Sequence, residues 1–350
     1  MVDSFCIGNT SNSSVQYSNT TSLNLVEEEL KRNLKGKKFL LVLDDIWSEE
    51  WQRLLAPLQS SQAQAIKIIV TCRDPTVSGS IDQENKIILE GIDDGEYWSF
   101  FQISAFDRND PDNYPELHDI GRRIVGKLMG SPLVAKTVGK LLGRELTKNH
   151  WNNVLENDLW KLKSDAHDIM PALALSYYHL PSHLQSCFAF CSVLPNNNLD
   201  PYYDMDTVIS MWRANGYLSE SISSKTVNDM GKEFFHELQA RCFFNGHAGC
   251  TKFLKMHDLM RDLCQLVSHG ETCIYESGRD KKISKNVRHL CVNDGLTDLG
   301  VLSEANNLRT LLLLQGANGM STFINHESFN RIRVLMISDS NMQEFPDAIP

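Results

Sequence analysis

The sequence lacks several features, and each absence removes a class of function. Its apolar runs, of which Phe39–Leu43 and Leu311–Leu314 are examples, fall well short of the roughly 18 residues needed to cross a bilayer. The amino terminus has no basic segment followed by an apolar stretch, so nothing in it directs the chain to secretion. Nine cysteines, scattered from Cys6 to Cys291, make an odd count that fits reduced thiols in a cytoplasmic protein better than a disulfide framework. The sequons at Asn9, Asn12 and Asn19 are then chance products of Asn/Ser/Thr-rich sequence. Cys250, His257, Cys264, His269 and Cys273 lie close together, but no C-x-x-C or H-x-x-x-H pair gives them zinc-site spacing. Positive charge is scarce too: 34 Lys plus Arg against 44 Asp plus Glu leave a net charge of -10, which opposes nucleic acid or an acidic membrane surface as partner. Gly-Lys occurs at Gly36, Gly126, Gly139 and Gly231 and is never followed by Ser or Thr, so the 350 residues hold no phosphate-binding loop.

What is present suits a globular protein of two to three domains, with 350 residues of which 42% are hydrophobic. Residues 1–22 are rich in Ser, Asn and Thr and are expected to be flexible. Leu23, Val26, Leu30 and Leu34 then fall on one helical face. Phe39–Leu43 and Ile66–Val70 read as strands buried on both faces of a parallel α/β sheet, with a helical stretch around Trp51 to Leu58 between them. Their polar residues, Asp44 and Asp45 after the first and Thr71, Cys72 and Arg73 after the second, sit where the sites of such sheets lie. Beyond Ile92 helical spacing is expected through to about Val267. Ile120, Ile124 and Leu128 form a stripe stopped at Gly130, with Ser131 as N-cap and Pro132 in the first turn of the next helix. Leu184, Cys187, Phe188 and Cys191 form another between Pro181 and Pro195. Near the end, Val287, Leu290 and Val292 share an L-x-x-L-x-L pattern with Leu308, Leu311 and Leu313 and with Ile332, Leu335 and Ile337. The pattern recurs after 21 and then 24 residues, within the range of leucine-rich repeats.

Five segments carry chemistry. KKFLLVLDDIW, residues 37–47, looks like a Walker B strand, although acidic residues also commonly just follow buried strands. KIIVTCR, residues 67–73, looks like the next core strand of a nucleotide domain, its arginine either a phosphate sensor or a solvated loop residue. GSPLVAKTVG, residues 130–139, is similar to a GLPLA motif; CFAFCSVLP, residues 187–195, and MHDLMRDL, residues 256–263, follow in order. Together with the repeats, they make residues 23–350 resemble the plant NB-ARC leucine-rich-repeat disease resistance proteins, the NLR immune receptors.

The resemblance implies a multidomain α/β plus α fold: a partial P-loop-type parallel sheet, a helical domain, a winged-helix domain and the start of a leucine-rich-repeat solenoid. The expected division is 1–22 flexible, 23–91 partial nucleotide-binding domain, 92–165 helical ARC1-like domain, 166–268 winged-helix ARC2-like domain, 269–285 linker and 286–350 repeats. It implies ADP or ATP with Mg as cofactor, Asp44 orienting the magnesium shell through water, and Asp45 acting on the attacking water. Arg73, Pro132 and His257 would contact nucleotide. His257 with Asp258 would latch the closed state, the alternative for Asp258 being helix capping alone. A winged helix can suggest DNA binding, but residues 166–268 carry 7 Lys plus Arg against 10 Asp plus Glu. The family places a phosphate-binding loop and a signalling domain upstream of Leu23; this chain is expected to be amino-terminally truncated and weak or inactive as an ATPase. GLPLA has become GSPLV and TTR has become TCR, while Pro132 and Arg73 are kept. Two function classes follow: a cytoplasmic immune switch whose partner is a pathogen effector or guarded host protein, or a non-enzymatic module that binds a full-length receptor or a pathogen protein.

Overall fold

The computed structural model describes residues 28, 31–46, 51–52, 55–78, 81–162, 169–194, 203–218, 226–247, 250–275, 283–292, 305–314 and 331–337. The expected flexible segment 1–22 and the stripe positions Leu23, Val26 and Leu30 lie outside these residues. The chain divides into two compact units, Phe5–Leu89 and one that holds Glu90–Pro350, each described by itself.

In the first unit, strands β1 (Lys38–Leu43) and β2 (Ala65–Val70) pair in parallel, from Lys38 opposite Ala65 to Leu43 opposite Val70. Leu34, the helix Leu55–Gln59 and Leu41 build a small core, with Leu58 at its centre. Among the described residues the small core packs on one face of the pair. Leu40, Val42 and Ile69 on the other face are 56%, 55% and 51% exposed, contrary to the expectation of two buried faces. An unbroken apolar run does not record how many layers pack on it, and among the described residues one layer does.

The second unit opens with four helices, Asp94–Phe106, Pro115–Val125, Pro132–Leu142 and Lys148–Leu155. Phe101, Leu117, Ile124, Val134, Val138 and Trp151 meet in their core. The first and third helices touch through glycine: a Cβ on Gly139 would sit 2.7 Å from Ser104 Cβ, and one on Gly143 2.4 Å from the Ala105 carbonyl oxygen. The i, i+4 spacing puts both glycines on the contacting face. The same core runs on through the helices Met170–Tyr178, Ser182–Phe190, Met205–Asn215, Val227–Ala240 and Asp258–Val267. Leu184, Cys187, Phe188 and Cys191 are buried, as their spacing requires.

The spacing among these helices predicts no strands, yet among the described residues three occur: β3 (Tyr203–Asp204), β4 (Asn245–His247) and β5 (Cys250–Lys255), antiparallel in the order β3-β5-β4. They are too short and polar to announce themselves by alternation.

Four parallel strands follow: β6 (Thr272–Tyr275), β7 (His289–Val292), β8 (Thr310–Leu313) and β9 (Val334–Ile337). The recurrence seen in the sequence becomes register, with Leu290, Leu311 and Leu335 in one row and Val292, Leu313 and Ile337 in another. That face packs on Val287, Leu308, Ala305 and Ile283. β6 lies inside the stretch 269–285 expected as a linker and carries no such pattern. On the opposite face Cys291 and Leu312 join the helical core. A polar seam accompanies them: the Tyr217 hydroxyl is 3.0 Å from His289 Nε2, His289 Nδ1 is 3.0 Å from Thr310 Oγ1, and Asn215 Nδ2 donates to that same Thr310 oxygen at 3.0 Å. Ser192 Oγ lies 2.6 Å from Thr272 Oγ1.

Candidate functional site

Parallel pairing carries the residues after Leu43 and after Val70 to the same edge of the sheet. The Thr71 N–H donates to the Leu43 carbonyl at 2.9 Å, and the Ile46 N–H to the Thr71 carbonyl at 2.9 Å, so the two segments stay bonded past the strand ends. Asp45 adopts φ 52°, the left-handed region that Asp tolerates better than most residues. Both carboxylates meet the segment that follows the second strand. Thr71 Oγ1 donates to Asp44 Oδ1 and accepts from the Asp45 N–H at 2.8 Å. Arg73 grips Asp45 with both prongs, Nε to Oδ1 at 2.9 Å and a terminal nitrogen to Oδ2 at 2.9 Å.

Asp44, Asp45 and Arg73, singled out in the sequence, are thus brought together. Thr71 was not singled out for a role, and it joins the two carboxylates. The four side chains carry two negative charges and one positive, leaving the cluster at about -1. A divalent cation fits that balance, with Asp44 as the carboxylate not engaged by arginine; a bare phosphate does not fit while Asp45 occupies Arg73.

Pro132, His257 and Asp258 belong to the second unit. Pro132 is the first residue of its helix and is exposed. Ser131 stands at the N-cap position, but its side chain makes no capping bond, which corrects the sequence reading. The chain here is held instead by Tyr97, whose hydroxyl reaches the carbonyls of Ser131 at 2.9 Å and Leu128 at 3.2 Å, and whose burial pushes the phenol pKa up. Gly130 has φ +66°, and a Cβ on it would meet the Gly91 Cα at 2.7 Å. The turn in GSPLV therefore rests on two glycine backbones in contact.

His257 caps the helix Asp258–Val267: its Nδ1 accepts the Leu259 N–H at 3.1 Å, which places the ring proton on Nε2. The residue is exposed, so that Nε2–H points away from the cap bond and can donate elsewhere. Asp258, in the first turn, lies at the positive end of the helix dipole. Farther along the helix, Arg261 donates to the Leu194 carbonyl at 2.6 Å and Cys264 Sγ to the Phe188 carbonyl at 2.8 Å. Residues 187–194 and 256–264 are thereby clamped together, and Arg261, not singled out in the sequence, is the charged member of the clamp. Burial pushes the Cys187, Cys191 and Cys264 thiols up, which keeps them protonated and unreactive. Seven cysteines among the described residues stand outside any disulfide, and no group of three or more His, Cys, Asp or Glu there could hold a metal. No helix among them is long and apolar enough to cross a membrane.

The parallel strand pair with its acid-and-arginine edge, and the helices and short antiparallel sheet of the second unit, define a mixed α/β class of protein. Residues 7–111 match the NB-ARC domain, and residues 200–264 match the disease resistance protein winged helix domain. The chain is 32% identical over 343 residues to RPP13-like protein 1, a disease resistance protein of Arabidopsis thaliana, covering 93% of this chain and 32% of that one. It is 31% identical over 330 residues to disease resistance protein RGA2 of Solanum bulbocastanum, covering 93% and 31% respectively. With RPM1 of Arabidopsis thaliana it shares 26% identity over 346 residues, 92% of this chain and 36% of the relative. The chain thus carries NB-ARC and disease-resistance winged-helix domains, is similar over most of its length to plant disease resistance proteins, and spans about a third of the length of the curated relatives it matches. An NB-ARC domain implies nucleotide binding in general.

Proposed function

We propose that this chain is part of a cytoplasmic plant immune receptor, an ADP/ATP-dependent switch that responds to a pathogen effector or a guarded host protein. The observation that carries the reading is the convergence of Asp44, Asp45, Thr71 and Arg73 at one sheet edge. Asp44 would orient a magnesium water shell, Asp45 would act on the attacking water, and Arg73 would sense a terminal phosphate. Nucleotide with magnesium would supply a phosphoanhydride whose cleavage resets the switch. Pro132 would lie near the base and the Nε2–H of His257 would donate to a phosphate, with His257 and Asp258 acting as the closed-state latch. Residues 286–350 would be the start of a leucine-rich-repeat solenoid, supported by the 21- and 24-residue recurrences in register.

Nucleotide handling is expected to be impaired. The 350 residues contain no Gly-Lys-Ser/Thr, so the amide cradle, lysine and metal-ligating hydroxyl of a phosphate-binding loop are not supplied. Loss of one such donor set costs about 3 kcal/mol of transition-state stabilisation. Asp45 also holds Arg73 through both prongs, so a phosphate must compete for the guanidinium. These two observations favour the second reading, a non-enzymatic module that binds a full-length receptor or a pathogen protein. Purified chain assayed for bound nucleotide and phosphate release, with Asp45→Ala as control, separates the two. Stoichiometric ADP, or turnover abolished by Asp45→Ala, would refute the impairment. For the latch, His257→Asn keeps a capping side chain and removes the imidazole. In a full-length receptor that contains these residues it should raise signalling without infection at unchanged thermal stability; an unchanged resting state would reduce His257 to a cap.

A further inference from the structure

The residue before each of the last three strands is arginine: Arg288 before β7, Arg309 before β8 and Arg333 before β9. The pairing of His289 with Thr310 and of Thr310 with Val334 sets the three in one row. Backbone bonds tighten it, the Arg309 N–H donating to the Arg288 carbonyl and the Arg333 N–H to the Arg309 carbonyl, each at 2.7 Å. Neighbouring strands lie about 4.8 Å apart, so three guanidinium stems leave the sheet within about 10 Å. Like charges directly opposed on adjacent strands destabilise a sheet, and this row stands in a protein of net charge -10.

The outer two arginines have partners. Arg288 lies 3.2 Å from Glu271 Oε1. Arg333 donates to the Asn215 carbonyl at 3.0 Å, where the end of the helix Met205–Asn215 offers partial negative charge. Arg309, between them, makes no side-chain hydrogen bond or ion pair with any described residue. All three approach one corner, since Arg288 and Arg309 both act on the Tyr217 hydroxyl and the His289 ring, and Arg333 binds two residues before Tyr217.

We propose that Arg309, flanked by Arg288 and Arg333, is the centre of a binding site for a compact polyanion, a small molecule with two or more neighbouring phosphate groups. Guanidinium forks bind phosphate oxygens bidentately, and three within about 10 Å can engage adjacent phosphates together. The spacing disfavours an extended acidic peptide, whose same-face side chains recur about every 6.8 Å and fall out of step with the row. Overall negative charge disfavours an extended nucleic acid. The site shares no residue with the Asp44–Arg73 cluster and does not depend on the nucleotide reading.

The test uses the full chain with inorganic tripolyphosphate, followed by titration calorimetry and thermal melting, for wild type, Arg309→Gln, Arg309→Lys and Arg73→Ala. Tripolyphosphate should bind roughly one per chain and raise the melting midpoint, less so as salt rises. Arg309→Gln should weaken binding about tenfold or more, as expected for one lost charge-assisted contact. Its midpoint without anion should be equal to or above wild type, because a like-charge clash is relieved. Arg309→Lys should recover part of the binding, and Arg73→Ala should leave it unchanged. The proposal is overturned if wild type does not bind, if binding is lost in Arg73→Ala and kept in Arg309→Gln, or if Arg309→Gln lowers the anion-free midpoint, which would make the arginine a structural residue.

Discussion

His289 sits in the seam with hydrogen bonds at both ring nitrogens, and burial, reinforced by Arg309 and Arg288, lowers its pKa from 6.5 to about 4. Between those pH values the unfolded chain binds a proton that the folded chain refuses. Stability is therefore full above about pH 6.5 and is lost as pH falls toward 4, by about 3 kcal/mol in all. Melting of the second unit at pH 7 and pH 5 should differ by about 2 kcal/mol from this group; His289→Gln should lower stability at pH 7 and remove that part of the slope. A slope unchanged in the variant would assign the pH dependence elsewhere. The Asp45–Arg73 pair is weaker, since its side chains are 25% and 32% exposed, and a double-mutant cycle should give a coupling of about 1 kcal/mol. Asp45→Ala should cost about 1 kcal/mol more than Asp45→Asn, because alanine resists the left-handed backbone that Asn accepts. Equal costs would mean that the kink carries no strain. Asp44, Asp45 and Arg73 were legible in the sequence because polar residues after buried parallel strands gather at one edge. Thr71 acquires its role only from the register between chain segments 27 residues apart, which composition does not fix.

At the scale of elements, the repeat spacing was the most legible feature of the fold, because each 21- or 24-residue period returns a leucine to the same row. Leu311 is fully buried in that row, whereas Leu335 is only half-buried. Leu311→Asp should therefore unfold the four-stranded sheet, an unpaired buried carboxylate costing several kcal/mol. Leu335→Asp should reduce stability by a smaller amount and leave β6 to β8 protected. Hydrogen exchange across 272–313 checks both, and native protection in Leu311→Asp would contradict the assigned core. β6 was illegible because it lacks the repeat's leucines and depends on pairing with β7. The three antiparallel strands were missed for a related reason, since residues such as Asn245, Gly246 and His247 have no strand preference of their own. GSPLV shows the reverse case: its proline marks the helix start in the sequence itself, but the glycine contact with residue 91 is a long-range fact.

The whole molecule has two units of unequal substance. Apart from Trp51 and Val77, the described core of the first is Leu34, Leu41 and Leu58, whereas the second has a core running from Tyr97 to Leu312 and a further cluster around Leu290, Leu308 and Leu311. Small cores give marginal stability, so the first unit should lose protection at lower denaturant than the second. Ile87, Ile88 and Leu89, at 85%, 85% and 87% exposed just before the boundary, should be the preferred site of limited thermolysin cleavage and release a stable fragment beginning near Glu90. Persistent full-length chain under conditions that cleave a denatured control would count against two units. The seam has a further consequence for how such a protein can change its length. Its first strands are bonded to the helices through Thr272, His289 and Thr310. An in-frame duplication of residues 310–333 would leave β6, β7 and β8 in place and return Arg333 to the strand beside β8. The same number of residues added between Tyr275 and His289 would carry His289 away from Tyr217 and unmake the joint. Copy number can drift only at the far end of the sheet.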